Sequence, residues 1–383
     1  MKQQALRRHA LAEGHVNDRA ETQVSNAARQ FDLFDNEAGF QAAPPAAPKS
    51  RRRAVSAAAP PPDANAAPGD LSPEAMAQAL AQTGDYRILR RLKPRPVIDR
   101  ALSPLPRLAV IVDTETTGLR HDADEVIEIG AVAFTYGDDG AIGDVVGVYG
   151  ALQEPSRPIP PEITRLTGIT DAMVAGQRID EAALAALLAP ADLVIAHNAG
   201  FDRPFCEALS PVFAAKAWAC SVKEVPWRDY GFEGARLGYL VGQAGLFHDG
   251  HRALDDCHAL LEVLARPARV HDAAAQAHPG GAPGGDATAA GAPTPFAALL
   301  AASRRISVRI WAERSPFDMK DQLKARGYRW SDGSDGRPRA WWIETPEEAA
   351  EEELRFLRDE IYQWPDASPY RQVLSAHDRF RPG

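Results

Sequence analysis

The feature that most constrains this chain is a continuous apolar run, Leu108–Val112, that ends in an acid, Asp113. A run without polar alternation is typical of a strand buried on both faces. Two further strand-like segments, 126–135 and 144–152, follow after short turns rich in Gly and Asp, which predicts an antiparallel meander. Helical segments and one more buried strand come next. The sequence therefore predicts a mixed α/β domain over residues 105–267, about 160 residues, which is enough for its own core.

Composition divides the rest of the chain. Within the tail, residues 1–70, the stretch 41–70 is dominated by Ala and Pro, and residues 268–300 are dominated by Ala, Pro and Gly. Because such segments bury too little apolar surface to offset the entropy of ordering, we predict a disordered tail and a linker. Residues 71–104 contain a short helix that begins at Pro73, followed by a connecting segment. Residues 301–383 predict a small α+β module with a strand, a helix, a hairpin and a second, acidic helix.

Cysteine content and charge exclude several classes of protein. The chain has three cysteines among 383 residues and a formal net charge of −9. Three cysteines cannot form a disulfide framework, which indicates a reducing cytoplasm. No segment approaches the ~20 apolar residues of a membrane span, so we expect no membrane partner and a cytoplasmic location. The acidic balance argues against a protein that coats phosphates uniformly, but an enzyme can hold phosphates through metal ions in an acidic pocket.

Two acids, Asp113 and Glu115, lie at the end of the first predicted strand. Residues i and i+2 of a strand share a face, so these carboxylates point the same way. Neighbouring carboxylates raise each other's pKa, and a divalent cation between them removes the repulsion. Oxygen ligands suit Mg²⁺ or Mn²⁺ rather than zinc. The alternative is that both acids only cap a turn.

Further acids and a histidine follow at later strand and helix ends. Asp202 comes after the next buried strand, near a helix N-terminus, where it could equally be a helix cap. His251 and Asp256 open the last helix of the domain, at a spacing that can bring a base and a metal-binding acid to one pocket. A lone loop histidine is also common as a surface residue. We expect His248 and Asp255 to be decoys, the latter because its helical phase differs from that of Asp256.

The order of these motifs resembles that of the DEDD superfamily of 3′–5′ exonucleases, in the DnaQ-like, DNA polymerase III epsilon-type subgroup with a motif histidine (DEDDh). The resemblance covers residues 106–266. It rests on the segments DTETTGL, HNAGFD and HRALDD, and on Ile163–Thr170. It implies an RNase H-like domain in which a mixed sheet of strand order 3-2-1-4-5 is flanked by helices. It also implies that the metal ligands are Asp113, Glu115, Asp202 and Asp256. The implied general base is His251.

The resemblance implies an enzyme with two Mg²⁺ (or Mn²⁺) ions that removes nucleotides from single-stranded or frayed DNA 3′ ends, in replication proofreading or repair. Thr116 and Phe201 would contact the terminal nucleotide, and Asn198 would hydrogen-bond the substrate or fix its own loop. Two alternatives stay open. One is an RNA-trimming enzyme, because contacts to the 2′-OH are not visible in a sequence. The other is a non-catalytic scaffold that binds a clamp or polymerase. The linkers and the extra module favour a paralogue of the replicative proofreader.

A short peptide in the tail, Gln30-Phe31-Asp32-Leu33-Phe34, resembles the pentapeptide with which bacterial polymerases and repair proteins bind the sliding clamp. Leu33 and Phe34 would fill an apolar pocket, Gln30 would form hydrogen bonds, and Asp32 matches the third position. A chance match is the alternative. The resemblance makes the sliding clamp, and with it a DNA polymerase, a predicted partner.

The C-terminal module interleaves aromatic residues with arginines. Such residues can stack bases and pair phosphates. A domain as small as this one also needs large side chains to build a core. We therefore expect Trp311 and one of Trp341 and Trp342 to be core residues, because neighbours on a strand face opposite ways. Arginines on the exposed face could guide a nucleic-acid strand.

Overall fold

The computed structural model describes residues 72–266, 293–334 and 336–381, which fall into two units. The first unit ends at Ile88. Its described part holds helix α1 (Pro73–Gln82), which Ser72 caps by accepting a hydrogen bond from the Ala75 amide. The clamp-like peptide at 30–34 lies outside the described residues. Across the described ranges, no helix is both long and apolar enough to cross a membrane.

The second unit contains a five-stranded mixed sheet with the strand order β4-β3-β2-β5-β6. Strands β2, β3 and β4 pair in antiparallel fashion, whereas β5 and β6 run parallel to β2. Counted within this sheet, the order is the expected 3-2-1-4-5, so the fold-class prediction is confirmed. A separate parallel pair joins β1 to β7. The strands are β1 (Arg90–Arg91), β2 (Arg107–Thr116), β3 (Val126–Tyr136), β4 (Ile142–Leu152), β5 (Leu193–Ala196), β6 (Ala217–Cys220) and β7 (Leu246–Phe247).

Helices cover both faces of this sheet. On β2, Ala109 and Ile111 pack in the core that includes the last helix of the domain, α8, while Val110 and Val112 pack on the opposite side against α4 and α5. This alternation decides where the acids at the end of β2 point. The helices are α2 (Pro161–Thr167), α3 (Asp171–Val174), α4 (Glu181–Leu188), α5 (Ala199–Leu209), α6 (Ser221–Glu224), α7 (Leu237–Gln243) and α8 (Ala253–Leu264).

A second sheet, antiparallel and in the order β11-β8-β10-β9, forms the C-terminal module. The predicted hairpin is the β9–β10 pair. One side of this sheet packs on α10 and α11 around Val308, Ile310 and Leu323. The elements are α9 (Pro295–Ser303), β8 (Ser307–Ala312), α10 (Lys320–Ala325), β9 (Arg329–Trp330), β10 (Trp341–Pro346), α11 (Ala350–Phe356), which continues as a π-helix over Leu357–Tyr362, and β11 (Tyr370–Leu374).

Helix α9 corrects the predicted linker, which was drawn to residue 300. The helix begins at Pro295 and belongs to the core of the five-stranded sheet. The ring of Phe296 lies 5.3 Å from those of both Phe134 and Tyr136. Leu299 and Leu300 are buried one turn further on. The spacing i, i+3, i+4 is helical, but the Ala/Pro/Gly composition of the preceding residues concealed it.

The segment after β11 docks against the α/β domain through Arg203 of α5. The guanidinium is fully buried, and it donates hydrogen bonds to the carbonyls of His377 (2.6 Å) and Arg379 (2.5 Å). The Trp218 amide of edge strand β6 donates to the Ala376 carbonyl at 2.8 Å. The module is thus held to the α/β domain by these hydrogen bonds as well as by the connecting chain.

Candidate active site

The end of β2 positions the first two acids. Asp113 lies opposite Gly130 of β3, and Glu115 lies opposite Glu128. Because Ile111 of β2 faces the α8 side of the sheet, Asp113 and Glu115 face that side as well. The intervening residue, Thr114, points to the α5 side. The strand therefore directs alternate polar side chains toward the two helices that carry the later motifs.

Gly130 allows α8 to approach the sheet. A Cβ at this position would lie 2.3 Å from the Ala253 carbonyl carbon and 2.4 Å from the Leu254 amide nitrogen. Since any larger residue would meet backbone, only glycine permits this contact. The first turn of α8 therefore lies directly over the strand position opposite Asp113, which brings Asp256 to the acids of β2.

Glu128 holds the beginning of α8. Its carboxylate accepts hydrogen bonds from the Ala253 amide (3.1 Å) and from Arg252 Nη2 (2.8 Å). The residue is only 6% exposed, so it replaces water as the partner of an otherwise unpaired amide at the helix N-terminus. The sequence analysis missed Glu128. Its one signal was an acid in the middle of a strand that is otherwise apolar.

Three carboxylates converge at this point. One oxygen each of Asp113, Glu115 and Asp256 lies within 4.8 Å of the others. Such a group of oxygen donors fits a divalent cation of the Mg²⁺ or Mn²⁺ kind. Of the four acids predicted as ligands, the structure brings these three together in one cluster.

Asp202, the fourth predicted ligand, comes from α5. Its Oδ1 accepts hydrogen bonds from the Thr114 amide (3.1 Å) and hydroxyl (2.9 Å). Asp202 is 2% exposed and lies inside α5, which begins five residues before Pro204 rather than at it. A proline this near the N-terminus removes a single hydrogen bond, to the Gly200 carbonyl, so the helix tolerates it.

The acids raise one another's pKa values. Burial raises the pKa of Asp113 well above its usual range, and the charges of Asp202, Asp256 and Glu115 add to the rise. Burial and the same repulsion raise the pKa of Glu115 to about 8. Burial raises the pKa of Asp202 to about 7, although the hydrogen bonds from Thr114 oppose the rise. A site that concentrates negative charge in this way favours binding of cations.

Two histidines contact Asp256. His251 is exposed, has a left-handed backbone with φ 61°, and donates its backbone amide to Asp256 Oδ2 at 2.9 Å. His248, which we expected to be a decoy, lies with its ring Nε2 2.7 Å from Asp256 Oδ1. Helical phase does not apply to His248, because it lies in the loop before α8, so the sequence could not place its ring.

The three predicted substrate contacts surround the same strand ends. Thr116 is buried and donates its hydroxyl to the Gly118 carbonyl. Asn198 is half-buried and adopts φ 87° immediately before α5. The ring of Phe201 packs 5.1 Å from that of Phe205. The hydroxyl of Thr116 therefore stabilises the turn that follows β2.

Fold and site together define an exonuclease domain. Residues 110–264 match the exonuclease family RNase_T. The DNA polymerase III epsilon subunit of Treponema pallidum (strain Nichols) is 31% identical over 161 residues, which are 40% of this chain and 72% of that protein. The chain belongs to the DEDDh, DNA polymerase III epsilon-like family of exonucleases.

Other relatives match the same domain. A putative bifunctional exonuclease/endonuclease of Mycobacterium tuberculosis (strain CDC 1551 / Oshkosh) is 36% identical over 171 residues, 40% of this chain and 25% of that protein. The chain thus spans a quarter of this relative. A solved structure of exonuclease X with 5′ overhanging duplex DNA is 28% identical, with a TM-score of 0.33, and the match covers 41% of this chain and 89% of that one.

Proposed function

We propose that this chain is a 3′–5′ exodeoxyribonuclease that uses two Mg²⁺ (or Mn²⁺) ions and acts in replication proofreading or repair. The observation that carries the proposal is the convergence of Asp113, Glu115 and Asp256 within 4.8 Å, in a chain of the exonuclease family. A DNA substrate is supported by the similarity to a protein named as the epsilon subunit of DNA polymerase III.

In this proposal the four acids hold the metal ions. Asp113, Glu115 and Asp256 supply oxygens from the α8 side, and Asp202 supplies its carboxylate from α5. When bound, the ions would bind the scissile phosphate and lower the pKa of the attacking water. Thr114 orients Asp202 through two hydrogen bonds, so the carboxylate is already in place before the ions arrive.

His251 is the proposed general base. It is exposed, and its backbone is tied to Asp256, so its ring can reach a water beside the ions without being buried itself. Histidine suits proton transfer near neutral pH. His248 has a different proposed role: its ring contact holds Asp256 in position. Thr116, Asn198 and Phe201 are the proposed contacts of the terminal nucleotide.

The direct test is hydrolysis of single-stranded DNA and RNA oligonucleotides labelled at either end, with Mg²⁺ or with EDTA. A 3′ label released first as a mononucleotide, from DNA in preference to RNA and only with Mg²⁺, is the expected result. Asp202→Asn should abolish nearly all activity. Asp255→Asn is the matched control, since this acid, next to Asp256 in the chain, is neither a member of the carboxylate cluster nor a proposed ligand. Equal activity of the Asp202→Asn and wild-type proteins would refute the assignment, and preferential release from RNA would favour the RNA-trimming alternative.

The two histidines are separated by their own variants. His251→Ala should lower kcat by roughly 10²–10⁴-fold, the usual contribution of a general base. His248→Ala should mainly weaken metal binding, because it releases Asp256, and added Mg²⁺ should restore much of its rate. If His248→Ala shows the larger loss of kcat at saturating Mg²⁺, the assignment of the base is wrong.

We further propose that Gln30, Asp32, Leu33 and Phe34 bind the sliding clamp and hold the enzyme near a DNA polymerase. The support is the match of the peptide to the clamp-binding pattern. Purified clamp should retain the full chain in a pull-down. It should not retain the Leu33→Ala/Phe34→Ala double variant. Retention of the double variant at the wild-type level would contradict this proposal while leaving the exonuclease proposal intact.

A further inference from the structure

The outer face of the C-terminal sheet carries a row of aromatic and basic side chains. Tyr370 of β11, Trp311 of β8, Trp342 of β10 and Arg329 of β9 are cross-strand partners in register. Neighbours in register share a face, and the next residue along β8, Ile310, belongs to the core on the other side. The row therefore crosses the whole sheet on the side away from α10 and α11.

Three guanidinium groups surround the ring of Trp342. The Cζ atoms of Arg329, Arg309 and Arg337 lie 4.3, 5.0 and 5.9 Å from its centroid. Trp342 also packs against Trp311, with ring centroids 5.8 Å apart. As expected from the sequence, Trp311 is buried and Trp341 packs in the core, whereas Trp342 faces the arginines.

Two buried donors on this face have no acceptor. Trp311 is 2% exposed, and its indole Nε1 has no hydrogen-bond partner among the described residues. The Nε of Arg309 is likewise buried and unpartnered within the described part of the chain. An unmet buried donor costs free energy. Both donors belong to the cluster around Trp342.

The face also has unbalanced positive charge. Glu344 neutralises Arg309 through a 3.1 Å ion pair. Arg329 is exposed, and no ion pair of Arg329 occurs in the ranges that the structure describes. Tyr370, at the other end of the row, is 52% exposed. The exposed ring of Tyr370 and the exposed guanidinium of Arg329 are complementary to a base and a phosphate and not to an apolar or basic partner.

We propose that the row Tyr370–Trp311–Trp342–Arg329 is a second, non-catalytic site for a single-stranded polynucleotide. Bases stack on Trp342 and Tyr370, and phosphates pair with Arg329. The shared chemistry of DNA and RNA strands suffices for this contact. The site needs no metal ion and no hydrolysis, so it can be tested independently of the exonuclease proposal.

The experiment measures binding of the full chain to fluorescein-labelled dT20 and U20 by anisotropy, in EDTA, across a series of NaCl concentrations. Arg329→Ala should weaken binding several-fold and reduce the slope of log K against log[NaCl] by about 0.7, the value for one lost phosphate contact on a single strand. Arg355→Ala is the matched control, because this exposed arginine lies on α11, on the other side of the sheet.

Trp342→Leu should weaken binding of dT20 at least about fivefold, whereas Trp342→Phe, which keeps an aromatic face, should lose less. Thermal unfolding checks that each variant is folded. With Mg²⁺, hydrolysis of a labelled trinucleotide, too short to span both sites, should be unchanged by Arg329→Ala. The proposal is overturned if Arg329→Ala matches wild type in affinity and salt slope, or if Arg355→Ala has the same effect. Weaker binding of dT20 than of U20, or the reverse, identifies the preferred strand.

Discussion

At the scale of single residues, the carboxylates of the site repel one another. Asp202 is buried, Asp113 and Glu115 are half-buried, and all three have raised pKa values. A chain without a bound cation must either keep protons on these groups or tolerate their repulsion. The site is thus built at the expense of the stability of the metal-free fold.

This conflict predicts how stability depends on pH. The folded pKa of Glu115 is about 8, and that of Asp202 about 7, against ordinary values of 4.5 and 3.8. The folded state therefore binds more protons than the unfolded state between about pH 4 and pH 8, so stability in EDTA falls as the pH rises through this window. Thermal unfolding should show a lower Tm at pH 8 than at pH 5, provided that metal is absent.

Mg²⁺ should reverse this trend, since it binds the ionised carboxylates of the native state only. At 100 times its Kd, bound Mg²⁺ should raise the Tm at pH 8 by roughly 5–10 °C, and by less at pH 5. Glu115→Gln removes one charge, so it should raise the Tm in EDTA at pH 8 and reduce the effect of Mg²⁺. Glu162→Gln, an exposed acid on α2, is the control. A Tm that rises from pH 5 to pH 8 in EDTA would contradict the electrostatic argument.

At the scale of elements, the contact between β3 and α8 sets the geometry of the site. Gly130 allows the close approach, and Glu128 binds the first amide of the helix. Both residues lie on the strand next to the one that carries Asp113. The metal-binding geometry therefore depends on a strand that contributes no ligand of its own.

Gly130→Ala tests this dependence. The new Cβ would meet backbone of Ala253 and Leu254, so α8 must move away from the sheet and take Asp256 with it. We expect a loss of about 1–3 kcal/mol in the free energy of unfolding, together with weaker Mg²⁺ binding by calorimetry. Gly238→Ala in α7 is the control, because its Cβ meets nothing within 4 Å and alanine is the better helix former. Wild-type Mg²⁺ affinity in Gly130→Ala would show that α8 position does not set the site.

Sequence patterns predict most of the helices and strands and the side of the sheet toward which the acids point. They do not predict contacts between elements that are distant in the chain. The two-residue period of a strand was enough to pair Asp113 with Glu115. The helical period of residues 296–300 was visible in principle, but the surrounding composition hid it. Nothing local marks Glu128 as the partner of Arg252, because 124 positions separate them. The contact of Arg203 with residues 376–379 is likewise invisible without the fold.

At the scale of the whole molecule, residues 375–381 complete the exonuclease domain. Arg203 adjoins the proposed ligand Asp202, and its guanidinium has three carbonyl partners in that segment, the residues Ala376, His377 and Arg379. A second buried pair joins Arg379 to Glu224 at 3.1 Å. The C-terminal module therefore supports the helix that carries Asp202, a residue of the proposed active site.

Removal of residues 375–383 should destabilise the exonuclease domain. It would leave the guanidinium of Arg203 with its ion pair to Glu207 but without its carbonyl partners, and loss of a hydrogen bond to a charged group costs about 1.5–3 kcal/mol. Chemical denaturation should show this loss, and hydrolysis should fall with it. A chain that lacks only residues 382–383 is the control. An unchanged free energy of unfolding in the shorter chain would show that the docked segment is dispensable.

The hydrogen bonds of Arg203 can form only late in translation. Its hydrogen bonds connect positions that are 173 to 176 residues apart, so α5 leaves the ribosome long before its partners have been made. In that interval the outer edge of β6 lacks the carbonyl that later covers it, and an open edge invites pairing with other nascent chains. Burial of Arg203 and pairing of the β6 edge therefore wait until the downstream module has been synthesised.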